Sequence, residues 1–230
     1  MSEMLFELDA PAPSHPAKYT DALLLTMVKM LQGRTRILDP FGGTGKVFLL
    51  EHWLGNVEIQ ATEIEPEWAA KNPRTTLGNA LALPWADGYF DAVCTSPTYG
   101  NRMADNDAYA MSAGHDFRKT YASSLKRHLH PDNSGQLQWG AKYKVFHNLA
   151  WIEARRALLP GGAFVLNIKD HIRDGKIIPV TSWHIECLEF LGFSLQEHAQ
   201  IATPGYRGSM HSELRVPYES VILFTLEHKP

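Results

Sequence analysis

The sequence has little of what a disulfide-stabilised or membrane protein needs. Its 230 residues include only two cysteines, Cys94 and Cys187, which lack the paired spacing of a zinc ribbon. No apolar run approaches the ~20 residues of a membrane span, and no segment resembles a signal peptide. We therefore expect a cytoplasmic protein with no metal site and no membrane partner.

The sequence also lacks a strong charge of one sign. The formal net charge is -3, so no overall basic field indicates a nucleic-acid partner, although a basic groove can lie on an acidic body. Hydrophobic residues make up 44% and charged residues 20%, which is typical of a soluble globular protein. A chain of this length can bury a sizeable core, and we expect residues 1–230 to form a single domain.

Segments with the patterns of strands and helices alternate along the chain. Strands are predicted at 36–39, 57–62, 90–95, 163–168, 195–202 and 220–226, and helices at 22–31, 46–54, 66–71, 145–158 and 180–190. This alternation predicts an α/β fold with a mainly parallel sheet covered by helices on both faces, and the last two strands predict an antiparallel pair at one edge. Residues 103–144 break the pattern. We interpret them as an insertion or mobile loop, and as a candidate element for recognising a substrate.

A glycine-rich turn lies where the first predicted strand meets a helix, in Asp39-Pro40-Phe41-Gly42-Gly43-Thr44-Gly45. Glycines there let the backbone approach a ligand closely. A P-loop is excluded because Pro40 and Val47 replace its first glycine and its hydroxyl, and a dinucleotide fingerprint is excluded because Phe48 replaces its third glycine. Two interpretations of the turn remain. It binds S-adenosylmethionine, whose sites combine a short glycine turn with an acid at a strand end, or it is a purely structural turn.

Two later segments fit a nucleoside. Glu63, followed by Ile64, ends the second predicted strand, where a carboxylate can accept hydrogen bonds from ribose hydroxyls. The alternative is an acid favoured by a helix N-terminus, which suits Glu65 better. Asn79, followed by Ala80, could read an adenine edge with its amide or could form an Asx turn.

The stretch Thr95-Ser96-Pro97-Thr98-Tyr99 follows the strand predicted at 90–95. With the glycine turn, it resembles the exocyclic amino-group (N4-cytosine or N6-adenine) DNA methyltransferases. Their glycine motif is typically D-P-F-x-G-x-G, and their catalytic motif is [D/N/S]-P-P-[Y/F/W]. Residues 15–19 and 205–224 resemble the segment before the glycine motif and the closing segment of that family.

The resemblance implies a Rossmann-like methyltransferase fold with a seven-stranded sheet and an antiparallel edge hairpin, and S-adenosylmethionine as the cofactor. The implied cofactor-binding residues are Lys18, Tyr19, Asp39, Pro40, Phe41, Gly42, Gly43, Thr44, Gly45, Glu63, Ile64, Asn79 and Ala80. The implied catalytic residues are Ser96, Pro97, Thr98 and Tyr99.

The second motif suits an amine whose lone pair is delocalised into a base. The Ser96 hydroxyl and the Pro97 carbonyl can accept the two amine hydrogens, which leaves the nitrogen lone pair free to attack a methyl group. Tyr99 can stack on a base that has left the helix. Thr98 departs from the family's second proline, so it restores a backbone N–H and relaxes φ. The alternative is an ordinary turn after a strand, with Tyr99 in the core.

We therefore expect an S-adenosylmethionine-dependent DNA methyltransferase that acts on double-stranded DNA with a flipped base. The serine of the motif favours cytosine N4 over adenine N6. The alternatives are an RNA or protein-amide methyltransferase of the same fold, and a catalytically silent DNA-binding protein that retains the cofactor site. Two further partners are compatible with the sequence: a second copy of the chain, in a homodimer, and a separate restriction nuclease.

The irregular middle of the chain interleaves cations with aromatic residues, which suits either a nucleic-acid surface or a solvated loop. The cations are Arg102, Arg118, Lys119, Lys126, Arg127, Lys142 and Lys144, and the aromatic residues are Phe117, Tyr121, Trp139 and Tyr143.

Overall fold

The computed structural model describes residues 20–100, 121–125, 127–203 and 216–227. Predictions that fall on Lys18, Tyr19, residues 101–120, Lys126 and residues 204–215 lie outside this part of the chain.

The described helices and strands alternate along most of the chain. The helices are α1 (Asp21–Met30), α2 (Glu51–Leu54), α3 (Pro66–Ala69), α4 (Tyr121–Leu125), α5 (Ala141–Ala157) and α6 (Val180–Phe190). The strands are β1 (Arg36–Asp39), β2 (Glu58–Glu63), β3 (Thr75–Leu77), β4 (Phe90–Thr95), β5 (Leu158–Ile168), β6 (His171–Arg173), β7 (Lys176–Ile178), β8 (Phe193–Ala202) and β9 (Tyr218–Leu226). Short 3-10 helices span Lys46–Leu50 and Ser134–Gln136.

Seven strands form one sheet in the order β3-β2-β1-β4-β5-β9-β8. The first five run parallel, whereas β9 runs antiparallel to both β5 and β8. Strands β6 and β7 form a separate antiparallel hairpin. The predicted fold class is confirmed: the sheet is mainly parallel and seven-stranded, with an antiparallel pair at one edge.

Helices cover both faces of the sheet because successive side chains of its central strands point to opposite sides. Ile37 of β1 packs with α1 and the first 3-10 helix, and its neighbour Leu38 packs with α5 and α6. Both side chains are fully buried. Helix α1 is capped at its N-terminus, since the Thr20 side chain accepts a hydrogen bond of 3.4 Å from the Leu23 N–H.

Several element boundaries differ from the sequence predictions. Helix α5 begins at Ala141 instead of residue 145, and β5 begins at Leu158 directly after it. Residues Pro160-Gly161-Gly162, which precede the predicted strand, form an irregular part of β5, where the partners change from Phe90↔Leu158 to Ala92↔Ala163. The helix predicted at 46–54 is a 3-10 helix that continues into α2. Strand β3 and the β6–β7 hairpin had no predicted counterpart.

The two cysteines are free and buried, Cys94 in β4 and Cys187 in α6. Burial raises the pKa of the Cys94 thiol well above its ordinary value and that of Cys187 to about 11. None of the described helices has the length and apolar character needed to cross a bilayer.

The topology brings polar side chains from distant parts of the sequence to one edge of the sheet. Parallel strands β1, β2, β4 and β5 end at this edge, and the antiparallel β9 begins there. The side chains at these positions are Asp39, Glu63, Thr95, Asn167 and Glu219. In open α/β sheets this edge is where ligands bind.

Candidate functional site

A cavity of about 610 Å³ opens at this edge of the sheet. Its volume is in the ordinary range for a small-molecule site. The predicted site residues that line it are Asp39, Pro40, Phe41, Gly42, Gly43, Thr44, Glu63, Ile64, Asn79, Ala80, Ser96, Pro97, Thr98 and Tyr99. The glycine turn and the Ser96–Tyr99 motif, some fifty residues apart in sequence, thus face one space.

The glycine turn is held tightly against β2. The Gly42 N–H donates a hydrogen bond of 2.8 Å to the Thr62 carbonyl, and a Cβ at position 42 would lie 2.8 Å from the Ala61 Cβ. Gly45 does not line the cavity; its φ of +83° shapes the turn from behind, against Phe48. The close packing at position 42 leaves no room for a side chain larger than that of glycine.

Asp39 is a buried carboxyl group at the end of β1. Its Oδ1 accepts hydrogen bonds from the Phe41 N–H at 2.9 Å and from the Thr95 hydroxyl at 2.7 Å. Burial raises the pKa of Asp39 to about 6, although both hydrogen bonds act in the opposite direction. Asp39 therefore joins the ends of β1 and β4 directly beneath the two motifs.

Glu63 connects the end of β2 to the glycine turn. Its Oε2 accepts a hydrogen bond of 2.8 Å from the Gly43 N–H, and its Oε1 accepts one of 2.8 Å from the Glu65 N–H. Burial raises the pKa of this carboxyl to about 7. The Ile64 N–H is a third backbone donor to this carboxylate. A carboxylate has about four acceptor sites, so the group can still accept a hydrogen bond from a ribose hydroxyl.

Asn79 forms the Asx turn that was one of its two predicted roles. Its Oδ1 accepts a hydrogen bond of 2.9 Å from the Leu81 N–H. The amide Nδ2 donates to none of the other described residues, so an adenine edge is still available to it. The two predicted roles of this side chain are compatible.

A polar cluster lies at the Ser96 end of the cavity. Asn167 Nδ2 is 3.2 Å from each of three oxygens: Ser96 Oγ, Tyr99 Oη and Glu219 Oε2. The Ser96 and Tyr99 hydroxyls are 3.0 Å apart. Because the carboxylate of Glu219 only accepts, the NH₂ group of Asn167 must face it. Its Oδ1 is then left buried and without a partner in the described part of the chain.

Asn167 and Glu219 are site residues that sequence reasoning missed. The available signal was weak: one asparagine interrupts the apolar run of β5, and Glu219 precedes the apolar run of β9. Burial and the charge of Glu219 hold the pKa of Tyr99 far above its ordinary value, so Tyr99 is a neutral phenol. Lys169, which had no predicted role, also lines the cavity and donates a hydrogen bond of 2.7 Å to the Thr203 hydroxyl.

The segment 127–136 closes one side of the cavity. The fully buried carboxylate of Glu65 holds it by accepting hydrogen bonds of 2.7 Å from the His130 N–H, Asn133 Nδ2 and Arg127 Nη2. Thr98 reaches the same segment, since its hydroxyl donates a hydrogen bond of 3.0 Å to Ser134 Oγ. Part of the predicted insertion is therefore bonded to both ends of the site.

Three residues of this predicted segment of cations and aromatic rings, Arg127, Tyr143 and Lys144, make internal contacts, whereas Arg102, Phe117, Arg118, Lys119 and Lys126 lie outside the described residues. Arg127 is bound internally by Glu65 and Glu67 and is not a free phosphate ligand. Tyr143 is fully buried and cannot stack on a base. Lys144 lies over the Trp139 ring, with its Nζ 4.9 Å from the ring centre. Local composition had not distinguished internal contacts from a binding surface.

No cluster of three or more His, Cys, Asp or Glu side chains that could hold a metal ion occurs in the regions that the structure describes. The polar groups that line the cavity are carboxylates, hydroxyls, amides, backbone groups and the ammonium groups of Lys46 and Lys169.

No protein-family model and no curated protein matches this sequence, but the fold is shared with many solved structures. A provisionally assigned sarcosine dimethylglycine methyltransferase from Galdieria sulphuraria is 13% identical, with a TM-score of 0.52 over 90% of this chain and 82% of that one. A provisionally assigned S-adenosylmethionine-dependent methyltransferase from Listeria monocytogenes is 10% identical, with a TM-score of 0.53 over 89% and 95%. The [4+2]-cyclase SpnF is 13% identical, with a TM-score of 0.54 over 90% and 82%.

At these identities the likeness establishes the fold. The chain has the Rossmann-like fold of S-adenosylmethionine-dependent methyltransferases. Because a cyclase is among the similar structures, the fold alone does not define the reaction, which depends on the residues of the site.

Proposed function

We propose that this chain binds S-adenosylmethionine in the cavity and transfers its methyl group to an exocyclic amine of a DNA base, with cytosine N4 favoured over adenine N6. The observation that carries the proposal is the shared cavity: Ser96, Pro97 and Tyr99 line it together with Glu63 and the glycine turn. A donor site and an amine-binding motif in one space are what methyl transfer to an amine requires.

The residues at the Glu63 end fit this cofactor. Glu63 would accept hydrogen bonds from the ribose hydroxyls, Asn79 and Ala80 would contact the adenine, and the turn at Gly42–Gly43 would pass close to the remainder. The absence of room for a Cβ at position 42 and the remaining acceptor site on Glu63 support this assignment. When bound, the cofactor supplies an electrophilic methyl group on a sulfonium.

The residues at the Ser96 end fit an amine. Ser96 Oγ and the Pro97 carbonyl would each accept one amine hydrogen, which favours a nitrogen with a usable lone pair. The Ser96 hydroxyl can direct its own proton to the Tyr99 oxygen 3.0 Å away, so that a lone pair of Oγ faces the cavity. The unpaired Asn167 Oδ1 adds a further buried acceptor beside them.

Glu219 is the group to which we assign the proton that the nitrogen loses once its new bond to carbon has formed. Its carboxylate lies at the Ser96 end and is bonded to Asn167 at 3.2 Å. The amine nitrogen gains a methyl group and gives up one N–H proton, which the carboxylate takes as an ordinary acid-base transfer. A strong base is unnecessary, because the methylated nitrogen is acidic before it loses that proton.

Tyr99 is the platform proposed for the base. Tyr99 lines the cavity, and its hydroxyl is anchored by Ser96 and Asn167, which restrains the ring. A base can reach it only after leaving the double helix, as in other enzymes that act on bases. The preference for cytosine rests on the serine of the motif and on its resemblance to the N4-cytosine subgroup.

The test is transfer of a tritiated methyl group from S-adenosylmethionine to double-stranded DNA, RNA and protein, followed by nucleoside analysis. We expect label in N4-methylcytosine. Label in N6-methyladenine would show that the target base is adenine and not cytosine. Label in RNA or protein alone would show that DNA is not the substrate. Cofactor binding without transfer to any of the three would support the catalytically silent alternative.

A pair of serine variants tests the mechanism. Ser96→Ala removes a proposed amine acceptor and is expected to lower the turnover rate by about 100-fold. Ser182→Ala is the matched control, because Ser182 is exposed on α6 and, among the described residues, its hydroxyl bonds only to the Pro179 carbonyl, at 3.4 Å. Equal rates for Ser96→Ala and the wild type would remove Ser96 from the mechanism.

A further inference from the structure

Three fully buried side chains form a continuous chain of hydrogen bonds that ends on the Ser96–Tyr99 motif. The Trp151 indole N–H donates to His184 Nδ1 at 3.0 Å, and His184 Nε2 is 2.9 Å from the Tyr143 hydroxyl. The Tyr143 hydroxyl in turn donates to the Thr98 carbonyl at 2.8 Å. We call these three side chains the Tyr143 relay.

The direction of every bond in the Tyr143 relay is fixed by its two ends. An indole nitrogen can only donate, so His184 Nδ1 must accept and carries no proton. A neutral His184 then has its proton on Nε2 and donates it to the Tyr143 oxygen. The carbonyl of Thr98 can only accept, so it takes the single Tyr143 proton. Burial lowers the pKa of His184 well below its ordinary value, in agreement with a neutral ring.

The Tyr143 relay ends at Thr98, the residue at which this sequence differs from the [D/N/S]-P-P-[Y/F/W] motif that it resembles. A proline at position 98 would fix φ, whereas threonine leaves it free. Here Thr98 is held by two hydrogen bonds instead, from Tyr143 to its carbonyl and from its hydroxyl to Ser134. Two residues on, the Gly100 carbonyl accepts a hydrogen bond of 3.0 Å from the Trp139 N–H. All of these tie the turn to α5 and the segment before it.

We infer that Tyr143, oriented by His184 and Trp151, is a positioning residue that restrains the turn at residues 95–100 in place of a second proline. The restraint itself is independent of the reaction. Its effect on methyl transfer rests on the proposed function, because only then does the turn have to hold Ser96 and Pro97 against an amine.

The first test measures hydrogen–deuterium exchange of a peptide covering residues 95–100. In the wild-type background, Tyr143→Phe is expected to speed exchange about tenfold, since one buried hydrogen bond is lost. In a Thr98→Pro background the ring supplies the restraint, and the same change is expected to have an effect of less than about threefold. No effect in the wild type, or equal effects in both backgrounds, would overturn the inference.

The matched control is Tyr89→Phe. The Tyr89 hydroxyl bonds to Glu58 at 2.9 Å, at the start of β2 and the opposite edge of the sheet. Tyr89→Phe therefore removes a tyrosine hydrogen bond elsewhere and should leave exchange of residues 95–100 unchanged. A comparable acceleration in this variant would show that the effect of Tyr143→Phe is general loosening, which also overturns the inference.

The second test needs only the wild type and Trp151→Phe. Nitrogen-15 chemical shifts of His184 are expected to show a protonated Nε2 and a bare Nδ1 in the wild type. Trp151→Phe removes the donor that fixes this tautomer, so the Nδ1–H form should become populated. A wild-type His184 that carries its proton on Nδ1 would contradict the relay, even if Thr98→Pro failed to fold.

Activity separates the two proposals. If the chain transfers methyl groups, Tyr143→Phe should lower kcat about tenfold and leave the dissociation constant of S-adenosylhomocysteine unchanged, because Tyr143 does not line the cavity. An unchanged kcat would overturn the positioning role. A wild-type protein without any methyl transfer would contradict the proposed function, and the exchange and tautomer measurements would still decide the relay.

Discussion

Glu63 Oε2 accepts a hydrogen bond of 2.8 Å from the Gly43 N–H, which joins the acid at the end of β2 to the turn after β1. The two elements that we propose to contact the cofactor are thus joined by a direct hydrogen bond. Burial holds the pKa of this carboxyl at about 7, so its charge changes in the range in which cells work.

Cofactor affinity should therefore depend on pH through Glu63. Ribose hydroxyls donate hydrogen bonds, which favours the ionised carboxylate. We expect the dissociation constant of S-adenosylhomocysteine to rise about tenfold for each pH unit below about 7, as measured by calorimetry. The Glu63→Gln variant should bind S-adenosylhomocysteine more weakly, and its dissociation constant should no longer depend on pH through residue 63. Any pH dependence that this variant retains reports titration of the ligand. A wild-type affinity that is constant between about pH 5 and pH 8 would contradict the assignment.

The same burial predicts how stability varies with pH. The pKa values of Asp39 and Glu63 are raised to about 6 and about 7, from ordinary values of 3.8 and 4.5. The native state therefore binds protons more tightly than the unfolded state, and the contribution of each group is present at low pH and lost as pH rises through its native pKa. Urea denaturation of Asp39→Asn should show a stability relative to wild type that increases by about 2 kcal/mol between about pH 4 and pH 7.

The control for that measurement is Asp174→Asn. Asp174 is exposed, has a φ of +51° that asparagine also tolerates, and makes no side-chain hydrogen bond with the described residues. The difference in unfolding free energy between the Asp174→Asn variant and the wild type should change little between about pH 4 and pH 7. A flat difference for Asp39→Asn as well would show that the buried carboxyl does not titrate as expected.

Two glutamates that share Arg127 should differ sharply in their effect on folding. Glu65 is fully buried and accepts hydrogen bonds from Arg127, His130 and Asn133. Glu65→Ala leaves these donors unpaired, and we expect the free energy of unfolding to fall by about 3 kcal/mol in urea denaturation. Glu67→Ala removes an exposed partner of the same arginine and should have little effect, since exposed ion pairs contribute little. Equal losses would refute the central role of Glu65.

The hydrogen bond between Thr98 and Ser134 is testable with a double-mutant cycle. Thr98→Val and Ser134→Ala each remove one hydroxyl of a bond of 3.0 Å. We expect a coupling free energy of about 1 kcal/mol, measured by thermal or urea unfolding of the two single variants and the double variant. Strictly additive effects would show that this bond does not hold the segment against the motif.

The fold could be predicted from the sequence because its central strands carry short apolar runs, such as Ile37-Leu38 and Ala163-Phe164-Val165-Leu166, with turn residues close after them. The peripheral strands could not. Strand β3 has three residues, one of which, Leu77, is 59% exposed, so neither its length nor its pattern differs from a loop. The start of α5 was missed because the aromatic and cationic residues before Val145 resemble a surface segment.

The cavity residues that the sequence analysis named lie in short local motifs or, like Glu63, at the end of a predicted strand. The glycine turn and the Ser96–Tyr99 motif are compact and specific. Asn167 and Glu219 are distant from both, and they reach the cavity because β9 runs antiparallel beside β5. Tyr143 likewise gains its role from contacts with His184 and Thr98, which no local pattern encodes.

The two buried cysteines make the chain a convenient host for optical probes. Their raised pKa values leave little thiolate to react with maleimide dyes, so the natural sequence gives a low labelling background. A single thiol introduced at the exposed Asp132, which borders the cavity, would carry a fluorophore to its rim. Ligand entry could then be followed by fluorescence without replacing either native cysteine.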